Sequence, residues 1–265
     1  MIIKGLVTAS NGMEALIAQN DSTANNVANV NTVGYRKQNL VFQNIYDSSV
    51  VQKDAQTGDA RSVGALSIGS QVQKLTYDFS QGALTKTEGV FDLAIEGDGF
   101  FKIQSSDGGV SYTRNGSFTM NNNGDLVTKD GEYVLDEQGK TIKIRTKDVV
   151  MHSMNDIIIT EEGQIELNNE RNPTLMQKIG IFDFGRKENM VCVGGSKFKP
   201  ADTNMNPEVK AKKYTIQQGS LELSNANVVN EMIKTINTSR NYETLSKLVK
   251  SNSDSLGKVM EVGKI

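Results

Sequence analysis

The chain has 265 residues, a formal charge of -2, one Cys, one His and no Trp. That balance supplies no positive field for a nucleic-acid backbone or an anionic membrane, and the Cys and His counts exclude a disulfide framework or a zinc site built mainly from those ligands. An apolar content of 37% with 24 Gly against 3 Pro suits many tight turns.

Residues 3 to about 30 are predicted to form a helix, because Leu6, Met13, Asn20 and Val27 recur every seven residues and Ala9, Leu16, Thr23 and Val30 follow three places after each. Asn20 is the polar member of this seam, and a polar residue there fixes register and partner number while weakening packing. The same pattern fits an amphipathic helix docked on its own domain. Asn11, Glu14 and Gln19 break the apolar run that a cleaved secretory signal needs, and no run reaches the ~18 apolar residues of a membrane span.

Residues 43–63 are polar and aperiodic, so they read as a flexible linker or as an extended segment that orders against a neighbour. From about Gly64 to Gly219 short apolar runs alternate with turn dipeptides at Asp107-Gly108, Asn123-Gly124, Asp130-Gly131, Gln138-Gly139 and Glu162-Gly163. At least three of these are expected to be hairpin turns. Residues 92–104 and 177–185 alternate as half-buried strands do. From Val229 onward Met232, Ile236, Tyr242, Leu245, Val249, Leu256 and Val259 recur at multiples of three and four, with Ser239 and Asn252 as polar interruptions, so a second long helix closes the chain.

Chemical motifs fail in the middle region. Gly97 and Gly99 begin a dinucleotide fingerprint whose third glycine would fall at Lys102, and the Gly194–Lys197 stretch has the wrong residue order for a phosphate loop. Asn121, Asn123 and Gly124 suit a calcium loop, but its first and last ligands would be Thr119 and Asp130 rather than Asp and Glu. Asp92, Glu96 and Asp98 offer carboxylates with nothing beside them to tune their acidity. His152 lies between Met151 and Met154 without a nucleophile arrangement, and Lys140, Lys143, Arg145 and Lys147 lack interleaved aromatics for base stacking. Neither an enzyme, a cofactor nor a metal centre is expected.

The two ends are more specific. Asn25, Asn26, Val27, Ala28, Asn29, Thr32, Gly34, Tyr35 and Arg36 closely resemble, position by position, the signature of the flagellar rod and hook axial proteins. Ser224, Asn225, Asn227, Val228, Glu231, Met232, Arg240, Tyr242 and Glu243 resemble the companion signature that opens the last helix, and residues 92–104 with those that follow resemble the shared β-domain. Length and the segment before residues 67–72 look most like the distal-rod members; proximal-rod members share most of the pattern, and hook members are generally longer.

The resemblance implies an α+β fold: a mainly β central domain with long N- and C-terminal helices pairing as a coiled-coil-like layer. Residues 1–35 and 224–265 would form that inner layer of a tube, 36–72 a connecting segment, and 73–223 the outer β-domain. It implies a structural subunit that polymerises helically with itself, meets other rod proteins and the hook protein, and encounters ring or bushing and flagellar export proteins, with no nucleic acid and no membrane insertion. It would leave the cytoplasm for the basal body without a cleaved signal peptide. Small amides suit the exit from the first helix, since Asn caps helices and accepts left-handed angles, while Gly34 frees the backbone and Tyr35 anchors it. Subunit assembly is expected to rest on Leu6, Met13, Asn20, Asn25, Asn26, Asn29, Thr32, Gly34, Tyr35, Ser224, Asn225, Asn227, Met232, Ile236 and Tyr242. A carbohydrate-binding β-module and an enzyme using Asp92, Glu96 or Asp98 are the alternatives from other classes.

Overall fold

The computed structural model describes residues 2–46, 50–53, 60–64, 67–144, 157–167 and 174–262. His152 with its flanking methionines, Arg145, Lys147 and parts of the 43–63 segment lie outside the described residues. Two long helices, α1 (Ile2–Ala28) and α2 (Val228–Val262), stand at the two ends of a chain that is otherwise mainly strand, an α+β composition with a β-rich centre. Among the described residues no helix is long and apolar enough to cross a membrane.

The chain divides into two compact units, each discontinuous in sequence: Met1–Val27, Gln38–Leu75 and Asn227–Ile265 form the first, and Ala28–Lys37 with Thr76–Ala226 the second. In the first unit, strand Gln38–Tyr46 pairs with strand Ser67–Tyr77, and Val50–Lys53 pairs antiparallel with Ala60–Gly64. The described parts of the 43–63 segment are therefore extended and paired.

Burial along α1 follows a different line from the predicted seam. Ala9, Ala15, Thr23 and Asn26 are buried, Leu6, Met13, Leu16 and Val27 are half-buried, and Asn20 is exposed. The inward line favours small side chains; a Cβ added at Gly12 would sit 3.2 Å from Leu245 Cδ1 of α2. On α2, Glu231, Thr238, Leu245 and Asn252 recur every seven residues as the buried and half-buried side, while Met232, Ile236 and Tyr242 are exposed. Periodicity identifies an amphipathic helix, but packing against neighbours selects which stripe is covered.

The second unit is built on a nine-stranded antiparallel sheet whose central strand is Phe100–Gln104, flanked by Val110–Thr113, Tyr133–Val134 and Ile181–Phe184. Alternation along this strand serves two cores. Phe101 and Ile103 join Leu93, Ile95, Leu126 and Ile165 on one side, and Phe100 joins Tyr112, Phe182, Phe184 and Phe198 on the other. Full burial of each such side chain contributes about 1.5–3 kcal/mol. The 92–104 run divides into Leu93–Gly97, which pairs with Tyr214–Gln218, and the central strand.

Turn chemistry sets the register of the hairpins. Asp107-Gly108 joins Phe100–Gln104 to Val110–Thr113, and Gly108 takes φ +85°, a left-handed angle that a side chain resists. Asn123-Gly124, Asp130-Gly131 and Glu162-Gly163 likewise connect antiparallel partners.

Candidate functional site

The two terminal signatures fold into two hydrogen-bonded knots, one in each unit. The first is centred on Asn26, near the end of α1. Its Oδ1 accepts from Gln38 N at 2.8 Å, and its Nδ2 donates to Gln38 O at 3.0 Å and to Glu231 Oε2 at 3.1 Å. One amide thus satisfies both backbone groups of a strand residue and one oxygen of a buried carboxylate, which would be costly to leave unpaired. Glu231 Oε1 accepts from Lys234 Nζ at 2.8 Å, and Ser22 Oγ donates to Gln38 O at 3.4 Å. Asn227 caps α2, its Oδ1 accepting from Asn230 N at 3.1 Å. Glu231 in the first turn is favourably placed against the helix dipole.

The second knot is ionic. The Glu222 carboxylate accepts from Arg36 Nη2 at 2.6 Å, from Arg114 Nη1 at 3.2 Å and from Gly82 N at 2.8 Å. The side chains of Arg36 and Glu222 are both 0% exposed, and that of Arg114 is 3%. Arg114 also donates to Ile95 O and Gly97 O, so it grips the strand before the central one. Burial pulls the Arg114 guanidinium below its ordinary range, Glu222 opposes that shift and the charge of Arg36 adds to it.

Around this cluster, Gly34 N donates to Glu222 O at 2.8 Å, and Asn225 Oδ1 accepts from Lys37 N at 2.8 Å while its Nδ2 donates to Asp78 O and Ser80 O. Gly34 has φ +68°, and a Cβ there would meet Asn115 N at 2.4 Å. Tyr35 is buried, and Thr32 Oγ1 donates to Asn29 Oδ1 at 3.1 Å. Ser224 Oγ accepts from Ala226 N.

The residues singled out from the sequence therefore fall into two groups. Asn26, Gly34, Tyr35 and Ser224 are buried and Asn225 is half-buried, and these fasten the chain to itself. Asn20, Asn25, Thr32, Asn227, Met232, Ile236 and Tyr242 are exposed, and Leu6, Met13 and Asn29 are half-buried. Glu222 and Arg114 were missed, because a charged residue defaults to the surface and its burial partners lie 186 and 108 residues away in the chain.

The carboxylates considered for acid–base work have separate neighbours. Thr87 Oγ1 donates to Asp92, Gln217 Nε2 to Glu96 and Lys187 Nζ to Asp98. Asn121 Oδ1 accepts from the backbone of Asn123 and Asp125, closing a turn, and Lys197 of the Gly-rich turn is paired with Asp130 and Glu132.

Residues 6–36 match the family described as flagella basal body rod protein, residues 94–167 the flagellar hook protein FlgE/F/G D1 domain, and residues 217–262 the C-terminal part of the flagellar basal body rod FlgEFG protein. Over 97% of its length the chain is similar to flagellar basal-body rod protein FlgG of Borreliella burgdorferi, with 31% identity and 97% of that protein covered. FlgG of Bacillus subtilis is 28% identical over 98% of this chain and 99% of its own. FlgF of Caulobacter vibrioides is 33% identical, with 92% of each chain covered.

Proposed function

The chain belongs to the flagellar basal-body rod protein family and is a structural subunit of the flagellar rod, and from that premise we propose that it is a distal-rod subunit. It polymerises helically into the shaft that transmits torque from motor to hook. The observation that carries this reading is the full-length similarity to FlgG proteins, in which both terminal signatures and the β-domain keep their order.

In this reading the terminal helices pair antiparallel in a coiled-coil-like layer and line the inside of the tube. Two contacts support the pairing: Asn26 of α1 meets Glu231 near the start of α2, and Gly12 faces Leu245 one heptad-pair further along, so the two helices run in opposite senses. The buried members of the signature hold this layer and its exit turn in shape. The exposed members, Asn20, Asn25, Thr32, Asn227, Met232, Ile236 and Tyr242, meet neighbouring copies, and the half-buried Leu6, Met13 and Asn29 flank them.

The subunit is exported unfolded, performs no catalysis, and contacts other rod proteins, the hook protein, and ring and export components. Partner contacts are head-to-tail, because an open helical shaft needs interfaces that do not close into a small ring. A proximal-rod role is the second reading, favoured by the 33% identity to the Caulobacter vibrioides FlgF.

Electron microscopy of basal bodies from a strain lacking the gene, with a swimming assay, tests the proposal. Non-motile cells whose rods end short and carry no hook are the expected result. Complete rods and hooks with normal swimming would refute it, and loss of the whole rod would favour the proximal reading.

A further inference from the structure

The sequence contains three Asn-Gly bonds, at Asn11-Gly12, Asn115-Gly116 and Asn123-Gly124. Glycine leaves the asparagine before it open to a reaction within the main chain, because no Cβ hinders the approach of the glycine nitrogen to the asparagine Cγ. That nitrogen gives its proton to a base from water and attacks Cγ. The new C–N bond closes a succinimide, and Nδ2 leaves as ammonia, taking a proton back. Water then opens the ring at either carbonyl, leaving aspartate or, with Cβ drawn into the main chain, isoaspartate. The three bonds are chemically alike in the unfolded chain, and the fold separates them.

Asn11 and Gly12 lie in the middle of α1. Helical ψ turns the glycine nitrogen away from Cγ, so ring closure first requires the helix to open. Asn11 is half-buried, and a Cβ added at Gly69 would sit 3.1 Å from its Cβ. Asn115 is clamped in another way. Its Oδ1 accepts from Ser117 N at 3.0 Å and its N donates to Thr113 Oγ1 at 3.0 Å. A Cβ at Gly116 would lie 1.7 Å from Leu93 O, and Gly116 O accepts from Leu93 N at 3.0 Å, so this peptide has no room to pivot.

Asn123 stands with Asn122 at the exposed tip between strands Phe118–Met120 and Leu126–Thr128. The bonds that shape the tip belong to its neighbour: Asn121 Oδ1 accepts from Asn123 N and from Asp125 N, each at 2.9 Å, and Asn121 Nδ2 donates to Asp125 Oδ2 at 3.1 Å. The side-chain amide of Asn123 has no hydrogen-bond partner among the described residues. Gly124 N is held by a single turn bond, to Asn121 O at 3.0 Å, and the rotation that releases it moves chiefly the two exposed residues of the tip.

We propose that Asn123-Gly124 is the site at which the folded chain exchanges a side-chain amide for an acid by this intramolecular route. The product is not neutral for the fold. A carboxylate at 123 adds charge two residues from Asp125, whose Oδ1 is buried without a hydrogen-bond partner among the described residues. The isoaspartate form also lengthens the main chain between Asn121 O and Gly124, whose own carbonyl accepts from the N of the fully buried Ile144 at 2.7 Å. The change at the tip is thereby passed to the edge of the core.

The test is independent of the rod reading. The purified full-length protein is held at mildly alkaline pH, its fold followed by circular dichroism, and sampled for peptide mapping by mass spectrometry; the gain in mass distinguishes this exchange from isomerisation at the Asp-Gly turns. Conversion at Asn123 is expected to run at least about tenfold faster than at Asn11 or Asn115, because those two react only after local opening. The same chain unfolded in urea is expected to lose that ranking, and Asn123→Ser to remove the fast conversion while the fold persists. Asn11 or Asn115 converting as fast as Asn123 in the folded chain would overturn the proposal. So would an Asn123 that keeps its amide in the folded chain for as long as the unfolded chain takes to convert it.

Discussion

Replacing Glu222 with Gln should destabilise the second unit more than any other single charge removal there. The carboxylate is fully buried and receives Arg36 at 2.6 Å, Arg114 at 3.2 Å and Gly82 N at 2.8 Å. With Glu222 the cluster has a formal charge of +1; with Gln it has +2, sealed from water, with guanidinium nitrogens Arg36 Nε and Nη1 and Arg114 Nε already without a hydrogen-bond partner among the described residues. Removing one partner of a buried ionic cluster costs about 3–5 kcal/mol. For a unit of this size each kcal/mol lowers the midpoint by about 2–4 °C, so a fall of roughly 6–20 °C is expected when the full chain is melted and followed by circular dichroism. Arg36→Met should cost less, because it leaves the neutral Arg114–Glu222 pair. Adding it to Glu222→Gln should recover part of the loss through relief of like-charge repulsion. A Glu222→Gln shift below about 2 °C, or an additive double mutant, would refute the argument that this carboxylate compensates two buried cations.

Four further outcomes follow from the same geometry. Asn26→Ala removes three hydrogen bonds and should cost about 2–4 kcal/mol with faster amide exchange at Gln38, whereas Asn25→Ala, at an exposed neighbour that donates to Asp21 O, should cost about 0.5 kcal/mol; equal costs would contradict the knot. Gly34→Ala should lose about 1–2 kcal/mol from the left-handed backbone alone, with the approach to Asn115 N adding to it, so an unchanged urea midpoint would count against the fold of this turn. Gly257→Ala, in the exposed part of α2 with open space around a new Cβ, should stabilise the helix by about 0.5–1 kcal/mol and raise far-ultraviolet ellipticity. At Asp78, burial pushes the carboxyl up, but hydrogen bonds from Ser80 and the charge of Lys37 outweigh it and hold the pKa below its ordinary value. That contribution is present above the unfolded value and lost as pH falls through the folded one, so Asp78→Asn should make stability fall less steeply between about pH 5 and pH 2; because the group is partly exposed, a change above about 1 kcal/mol is not expected.

Local signals were legible in the residues themselves. Seven-residue and three-four spacings marked both helices, because a helix must present one apolar stripe wherever it docks. Gly108, Gly124, Gly131 and Gly163 marked the hairpins, because only particular residues accept the angles such turns demand. The terminal signatures, read as a resemblance, point to the rod family from the residues alone.

What those signals could not contain is the choice among equivalent faces and distant partners. The helical period of α2 treats Met232 and Glu231 as neighbours on a wheel; only packing put the carboxylate inside, beside Asn26, 205 residues away, and left Met232 exposed. Arg36, Arg114 and Glu222 are each, by residue type, surface residues. Their convergence depends on the crossing of three separated segments, and the free energy that holds them there is a pairwise electrostatic term that exists only once the chain has closed. The sequence alone determined where helices, turns and family signatures lie, since those are set within a few residues by backbone sterics and spacing. Tertiary structure decided which side of each helix is covered and which charges are buried, since those depend on contacts between segments that local chemistry does not specify.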